Sequence, residues 1–143
     1  MNAALLPIAL IVGSVVLYQV SQKLLPENIN PWHALMLYYL LAFVMTVAAT
    51  LVDRPSQNFL ESVRQSNWAV PLVALSIVGI EVGWILAFRT GGSLSLTGLI
   101  VNVAVAVVVI PIGLLFFKEK ISLVNIAGMV LCVVGLILIS RRA

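Results

Sequence analysis

Residues 94–117 read LSLTGLIVNVAVAVVVIPIGLLFF and contain no charged side chain. A helix that crosses the hydrocarbon core of a bilayer, about 30 Å thick, needs about 20 consecutive apolar residues. Because lipid offers no hydrogen bonds to an exposed backbone, such a stretch must satisfy its own backbone as a helix or join a closed barrel. The apolar residues run on here without the alternation of a barrel strand, which predicts a transmembrane helix.

Similar apolar stretches lie on both sides of this one. Together they predict five transmembrane helices, at residues 3–25, 32–52, 68–88, 94–117 and 123–140. The composition agrees, because 62% of the residues are hydrophobic and only 9% are charged, against about 25% charged in an ordinary soluble domain. The first stretch follows no positive segment and holds no clear cleavage site, so we expect it to remain as the first span. The sequence therefore predicts an all-α integral membrane protein, with residues 1–143 as a single transmembrane domain.

Positive charges at the ends of the predicted helices are balanced between the two sides of the membrane. Each side holds four Lys and Arg residues: Arg54, Arg64, Lys118 and Lys120 on one side, and Lys23, Arg89, Arg141 and Arg142 on the other. Positive residues normally favour the cytoplasmic side, so neither orientation is preferred. The balance favours dual topology, in which copies insert both ways and pair head to tail. The alternative is that one local signal or an insertion factor sets a single orientation.

The small number of reactive side chains argues against several classes of function. One His, one Cys and a single acid deep within a span form no recognisable triad, metal site or carboxylate pair, so we expect no catalysis and no cofactor. The chain has no Gly-rich phosphate loop, which excludes a nucleotide-driven pump within it. The pI of 9.4 comes from single Lys and Arg residues at span ends, a pattern typical of membrane anchoring rather than of nucleic-acid binding.

Glu81 is the one acid that lies deep within a predicted span, in residues 68–88. A carboxylate at the centre of a membrane helix costs roughly 2.5 to 3.5 kcal/mol on insertion scales, and such residues usually face a wet cavity or a partner. We therefore interpret Glu81 as a proton-exchanging or ligand-binding carboxylate. The alternative is a protonated acid that a neighbouring helix satisfies, or an acid that snorkels to the surface.

Further side chains are placed to surround such a group. Trp84 and Phe88 follow Glu81 at spacings of three and seven residues, which brings all three to one helix face and predicts an aromatic wall beside the acid. Plain packing is the alternative. In the first span a polar stripe at helical spacing is predicted to face the interior: Ser14, Tyr18, Ser21 and Gln22. In the second span Tyr38 and Tyr39 point to different faces, so at most one can line a pathway.

The fourth span carries a stripe of small and polar residues that includes Asn102. Asn102 can hydrogen-bond across helices or to a substrate, and the sequence leaves both roles open. Pro111 removes a backbone hydrogen bond from the same helix, so we expect a bend that serves as a hinge or is simply a tolerated kink.

Small residues predict surfaces on which another helix packs closely. Gly79 and Gly83 form a Gly-x-x-x-Gly pair in the third span. In the fifth span Gly128, Cys132 and Gly135 fall on one side as a seam of small residues. Because Cys132 is the only cysteine, it can form no intrachain disulfide. We interpret both surfaces as helix-packing or dimer contacts.

From Arg89 onward the order of elements follows a known pattern. An apolar span ends Leu114-Leu115-Phe116-Phe117-Lys118-Glu119-Lys120-Ile121-Ser122-Leu123, and a span with Gly128 and Gly135 ends Ile139-Ser140-Arg141-Arg142. In these residues the chain resembles the EamA-type branch of the drug/metabolite transporter superfamily, although Lys118 stands where that family usually has glycine. Most of its members carry ten spans as two inverted five-span repeats around a central pathway. The chain is also similar to the shorter, four-span small multidrug resistance proteins, which work as antiparallel dimers.

This resemblance implies that the chain is one repeat long and that its missing half is a second copy. We expect a secondary transporter that moves a small amphipathic or cationic solute by alternating access, coupled to protons, with Glu81 of each copy in an antiparallel homodimer facing a shared cavity. We expect it in the inner (plasma) membrane of a prokaryote, with lipid, the second copy and the solute as its partners. The alternative is a small accessory or packing subunit, or a lipid-handling component, of a larger membrane complex, in which Glu81 and Asn102 only hold helices together.

Overall fold

A computed structural model describes residues 5–118 and 122–140 of the chain. In that part the protein is helical, without strands. The helices are α1 (Leu5–Lys23), α2 (Pro31–Asp53), α3 (Phe59–Gln65), α4 (Ala69–Arg89), α5 (Leu94–Phe116) and α6 (Leu123–Ser140). Four of them, α1, α2, α4 and α5, are long and apolar enough to cross a membrane. α6 coincides with the fifth predicted span and has 18 residues, and its crossing stays a prediction.

The helix starts follow from local capping chemistry. The Asn30 side chain accepts a hydrogen bond from the backbone N–H of Trp32 at 2.9 Å, and Pro31 occupies the first turn of α2, where its missing N–H does no harm. In the same way, the Ser93 hydroxyl accepts from the backbone N–H of Leu96 at 3.2 Å and starts α5. Short polar turns can therefore separate these long apolar helices cleanly.

The polar connection between α2 and α4 contains the short helix α3. The Asn58 backbone N–H donates to the Glu61 carboxylate at 3.2 Å, which caps the start of this helix. Phe59 and Leu60 are exposed, at 82% and 71%. Apolar side chains on a short helix beside a span end are typical of a segment that lies at the membrane surface.

Internal contacts divide the chain into two compact units, Met1–Gly91 and Gly92–Ala143. In the first unit, α4 packs against both α1 and α2, so it is the central helix. In the second unit, α5 packs against α6, and α5 runs without a break through Pro111. The hinge role of Pro111 and the single domain expected from the sequence stay predictions.

Buried apolar side chains are few and lie at one end of the first unit. Within the described residues they are Ala34, Leu35, Trp84, Ile85 and Phe88. They belong to the start of α2 and the end of α4, which pack together. Most other large apolar side chains are exposed. Exposed apolar surface of this extent is typical of a membrane protein, in which lipid or another protein covers it.

Candidate functional site

Three side chains from two other helices converge on Glu81 of α4. The Tyr18 hydroxyl and the Gln22 amide Nε2, both on α1, and the Tyr38 hydroxyl of α2 all donate hydrogen bonds to the same carboxylate oxygen, Oε2. The tyrosine distances to Oε2 are 3.0 Å for Tyr18 and 2.9 Å for Tyr38. Hydrogen bonds to an ionised acceptor are roughly twice as strong as neutral ones. This cluster, the Glu81 site, therefore ties α1 and α2 to the central helix.

The positions of the donors follow from the antiparallel course of the helices. At 1.5 Å per residue, Glu81 lies about 12 Å before the end of α4 and Tyr38 about 10 Å after the start of α2. The end of α4 and the start of α2 are on the same side of the unit, so the two residues meet at similar depth. Tyr18 precedes Lys23, the last residue of α1, by little more than one turn. All the partners of Glu81 thus come from one level of the unit.

Aromatic rings extend the Glu81 site along α4. The rings of Tyr18 and Trp84 meet edge to face, with centroids 6.4 Å apart. The rings of Trp84 and Phe88 lie 5.3 Å apart, and the Lys23 Nζ sits 5.3 Å from the Phe88 centroid. Trp84 and Phe88 are each only 8% exposed. The structure therefore places an aromatic row beside the acid, and its role in binding stays a prediction.

Two buried polar atoms at the site have no hydrogen-bond partner among the described residues. They are the Gln22 side-chain oxygen Oε1 and the Tyr39 hydroxyl. The Tyr39 ring packs edge to face on the Tyr38 ring, with centroids 5.2 Å apart. Of these two neighbouring tyrosines, only Tyr38 reaches Glu81. Buried polar groups are normally paired with protein or with ordered water, so both atoms call for an explanation.

The predicted binding residues are only partly brought together. Tyr18, Gln22 and Trp84 join Glu81, whereas Ser14 is exposed on α1 and is not one of its donors. Asn102 belongs to the second unit, where it lines an open groove of about 830 Å³ between α5 and α6. The sequence predicts that at most one of Tyr38 and Tyr39 lines a pathway, and the structure brings Tyr38 to Glu81. A comparison of how deep Tyr38 and Glu81 lie along their antiparallel helices could have identified Tyr38 as a partner of Glu81.

The predicted packing surfaces are open within the described chain. A Cβ added at Gly79 or Gly83 would meet no atom within 4 Å, and the same holds for Gly128 and Gly135. Gly128 and Cys132 line the groove between α5 and α6. The contacts expected at these glycines are therefore not made inside either unit, and their role in pairing with another chain stays a prediction.

The two neighbouring tyrosines give a matched test of the Glu81 site. We expect Tyr38→Phe to lower the free energy of unfolding by about 1 kcal/mol, because it removes one hydrogen bond to the carboxylate. Tyr39→Phe removes a buried hydroxyl without a partner in the described structure, so it should leave stability unchanged or raise it slightly. Reversible unfolding in mixed micelles measures both. Equal losses for the two variants would contradict the hydrogen bond from Tyr38 to Glu81.

Comparison with known proteins bears on the whole chain. No curated protein and no solved structure shows significant similarity to it. The model of the EamA-like transporter family matches residues 3–141, almost the entire sequence. This match confirms the resemblance to the drug/metabolite transporter superfamily and extends it from the second half of the chain to the first. The protein is thus an integral membrane protein that belongs to the EamA-like transporter family.

Proposed function

We propose that the protein is a secondary transporter that exchanges protons for a small amphipathic or cationic solute by alternating access, as an antiparallel homodimer with dual topology. The observation that carries the proposal is the convergence of three donors on Glu81. The family accounts for the membrane transport, and the Glu81 site supports the coupling. The plasma membrane of a prokaryote is the location we propose.

The chemistry of a carboxylate within a membrane span supports the exchange. A carboxylate within a membrane span is unfavourable by roughly 2.5 to 3.5 kcal/mol on insertion scales, and such groups mark ion and substrate pathways. Tyr18, Gln22 and Tyr38 all donate to Oε2, and no hydrogen bond to Oε1 is found among the described residues. Oε1 is therefore placed to contact a cation, and a proton can bind either oxygen of the carboxylate. A proton neutralises the charge that attracts a cation, so the two occupants compete.

The aromatic row supports an organic solute rather than a bare metal ion. The face of a tryptophan or tyrosine ring attracts organic cations within about 6 Å of its centroid. Trp84 and Tyr18 lie directly beside Glu81 and offer such faces together with apolar contact area. Because Trp84 is buried in this conformation, the solute reaches it only after the helices move apart. Alternating access supplies that movement.

Protonation provides a physical link between occupancy and helix packing. An ionised Glu81 accepts hydrogen bonds from α1 and α2 at once. When a proton binds, the carboxyl group becomes a donor as well, and one of the surrounding groups has to turn and accept. The neutral acid also makes weaker hydrogen bonds than the carboxylate. The attachment of α1 and α2 to α4 therefore depends on whether Glu81 carries a proton.

Pairing with a second copy is supported by the surface and charge of the chain. Gly79 and Gly83 face open space within the described residues, so another helix can approach them closely. The balanced Lys and Arg residues allow both orientations. An antiparallel pair makes the inward-facing and outward-facing states equivalent by symmetry.

The competing function is a small accessory or lipid-handling subunit of a larger membrane complex. The same hydrogen bonds favour it in one respect, because they would hold α1, α2 and α4 together without any exchange. The two functions differ in what the purified chain does alone. A packing subunit has no transport of its own.

Uptake by the purified protein separates the two. We expect proteoliposomes with an imposed pH gradient to accumulate at least one solute from a panel of organic cations, amino acids and sugars. Collapse of the gradient with a protonophore should abolish that accumulation, and liposomes without protein serve as the control. A panel that shows no gradient-dependent uptake would favour the accessory subunit.

A further inference from the structure

A small cavity lies next to the Glu81 site, at the level where α1 and α4 end. Its volume is about 60 Å³. Since one water molecule occupies about 30 Å³ of liquid, the cavity has room for roughly two. Charged and polar side chains form much of its wall together with apolar ones, among them Gln22, Lys23, Leu25, Glu27, Ile85 and Arg89.

The cavity is located between the polar end of the unit and the half-buried Glu81. Lys23 and Arg89 are the last residues of α1 and α4, and Glu27 belongs to the turn that follows α1. The Arg89 guanidinium donates a hydrogen bond to the backbone carbonyl of Ile29, which fixes this turn against the end of α4. Glu81 lies about 12 Å deeper along α4. The charged residues thus mark the outer end of the cavity.

Gln22 is the side chain that connects the cavity to Glu81. It is only 6% exposed, it lines the cavity, and its Nε2 donates to the Glu81 oxygen Oε2. Its other polar atom, Oε1, is buried and has no partner among the described residues. A buried amide oxygen is seldom left unpaired, and ordered water is the usual partner when protein supplies none. The cavity beside it is large enough to hold that water.

We infer that this cavity is a hydrated access route that brings protons from the membrane surface to Glu81, with Gln22 as the positioning residue at its inner end. The ligand of the cavity is water. The inference rests on the proposed function in one respect, namely that Glu81 takes up and releases a proton. It adds the path, the side from which the proton arrives and the residue that controls the last step.

The transfer uses only water and the carboxylate. A protonated water from the cavity reaches the Glu81 oxygen Oε2 when the Gln22 amide turns aside, and gives its proton to that oxygen, so one O–H bond of the water breaks and one O–H bond forms on Oε2. Excess positive charge leaves the water and cancels the charge of the carboxylate. The Gln22 amide carries no proton in this step, since an amide only donates and accepts hydrogen bonds at neutral pH.

The Gln22 amide can serve both protonation states of Glu81. Facing a carboxylate, its Nε2 donates to Oε2 as observed, and Oε1 accepts from cavity water. Facing a protonated acid, the amide turned by half a revolution presents Oε1 to the new O–H group and Nε2 to the water. Each orientation satisfies the amide, so the turn can follow the proton without leaving a buried group unpaired.

Other titratable and charged groups around Glu81 attract or repel the protonated water. From α1 they are Tyr18 and Lys23, from α2 Tyr38 and Tyr39, from the turn Glu27, and from α4 Arg89. Among those that line the cavity, Glu27 is the one carboxylate. It attracts a protonated water to the outer end of the cavity, whereas Lys23 and Arg89 repel it.

Two variants and one control test the route in protein reconstituted into lipid nanodiscs. Gln22→Leu removes the amide at nearly constant size, and Leu25→Phe narrows the cavity without changing any partner of Glu81. Gln19→Leu, on the same helix but outside the cavity lining, is the control. A rapid pH jump followed by time-resolved infrared absorption reports proton uptake by Glu81, whose carboxylic acid band is assigned by its loss in Glu81→Gln.

We expect Gln22→Leu to slow the appearance of this band about tenfold, the factor expected when the transfer step loses one hydrogen bond. Leu25→Phe should slow it as well, and Gln19→Leu should match the wild type. A band that appears at the wild-type rate in both Gln22→Leu and Leu25→Phe would overturn the access route and leave the proposed function intact. If no protein shows a Glu81 band, both are overturned. Should Gln22→Leu fail to fold, the comparison of Leu25→Phe with Gln19→Leu decides.

Discussion

Glu81→Gln is expected to abolish proton-driven uptake, with a loss of about 100-fold or more, the range seen when a proton-transferring group is removed. Glutamine has nearly the same size as glutamate, and its amide oxygen can still accept from Tyr18 and Tyr38. It cannot bind or release a proton and has no charge to attract a cation. We therefore expect the variant to insert, fold and pair normally while it fails to couple uptake to the gradient.

The control for this variant is the same change at an acid outside the long apolar helices. Glu61 lies on α3, where its carboxylate accepts from the Asn58 backbone N–H, a role that glutamine can also fill. Glu61→Gln should transport as the wild type does. If Glu81→Gln also retained uptake and its dependence on pH, Glu81 would be a structural acid and the proposed coupling would be wrong.

Fixing the chain in one orientation is expected to abolish transport as well. Arg54→Asn with Arg64→Gln removes positive charge from one side of the membrane, and Ser56→Lys with Gln57→Lys adds positive charge to that side. All four positions are exposed in the segment between α2 and α4. Because the five predicted spans place four Lys and Arg residues on each side, a change of two should set the orientation, in opposite senses for the two double variants.

Co-expression of the two fixed forms should restore the solute uptake that neither form has alone. An antiparallel dimer needs both orientations, so each form by itself is expected to give background uptake and the mixture near wild-type uptake. Tags at the two termini, probed with a membrane-impermeant reagent, verify the orientation of each form. Full uptake by one fixed form alone would contradict the antiparallel pair.

Asparagine is the replacement at position 54 because the backbone there has a φ of 47°, a left-handed conformation that asparagine adopts more readily than most residues.

The sequence predicted the helical class and part of the Glu81 site for a simple physical reason. Apolar length determines which segments can cross a bilayer, and helical spacing determines which side chains share a face. These two rules place Trp84 beside Glu81 on α4, and Tyr18 beside Gln22 on α1. Neither rule needs any knowledge of how the helices pack.

Contacts between helices were harder to predict, because they depend on the rotation and depth of each helix. Tyr38 and Tyr39 are neighbours in sequence, and only the packing of α2 on α4 decides that Tyr38 meets the acid. Ser14 shares a face with Tyr18 but is exposed in the chain, because the buried contacts of the first unit are concentrated at the other end of α1. The same limit applies to Gly79 and Gly83, which have no close contact within the described residues and whose packing partner stays a prediction.

Proton release on solute binding measures whether proton and solute compete for Glu81. A solute identified by the uptake panel is added to purified wild-type protein and to Glu81→Gln in weakly buffered solution, and the protons released per bound solute are counted. We expect binding to release up to one proton per Glu81 in the wild type, most at a pH where Glu81 is protonated, and none in Glu81→Gln. Binding by the wild type without proton release at any pH, or equal release by both proteins, would contradict it.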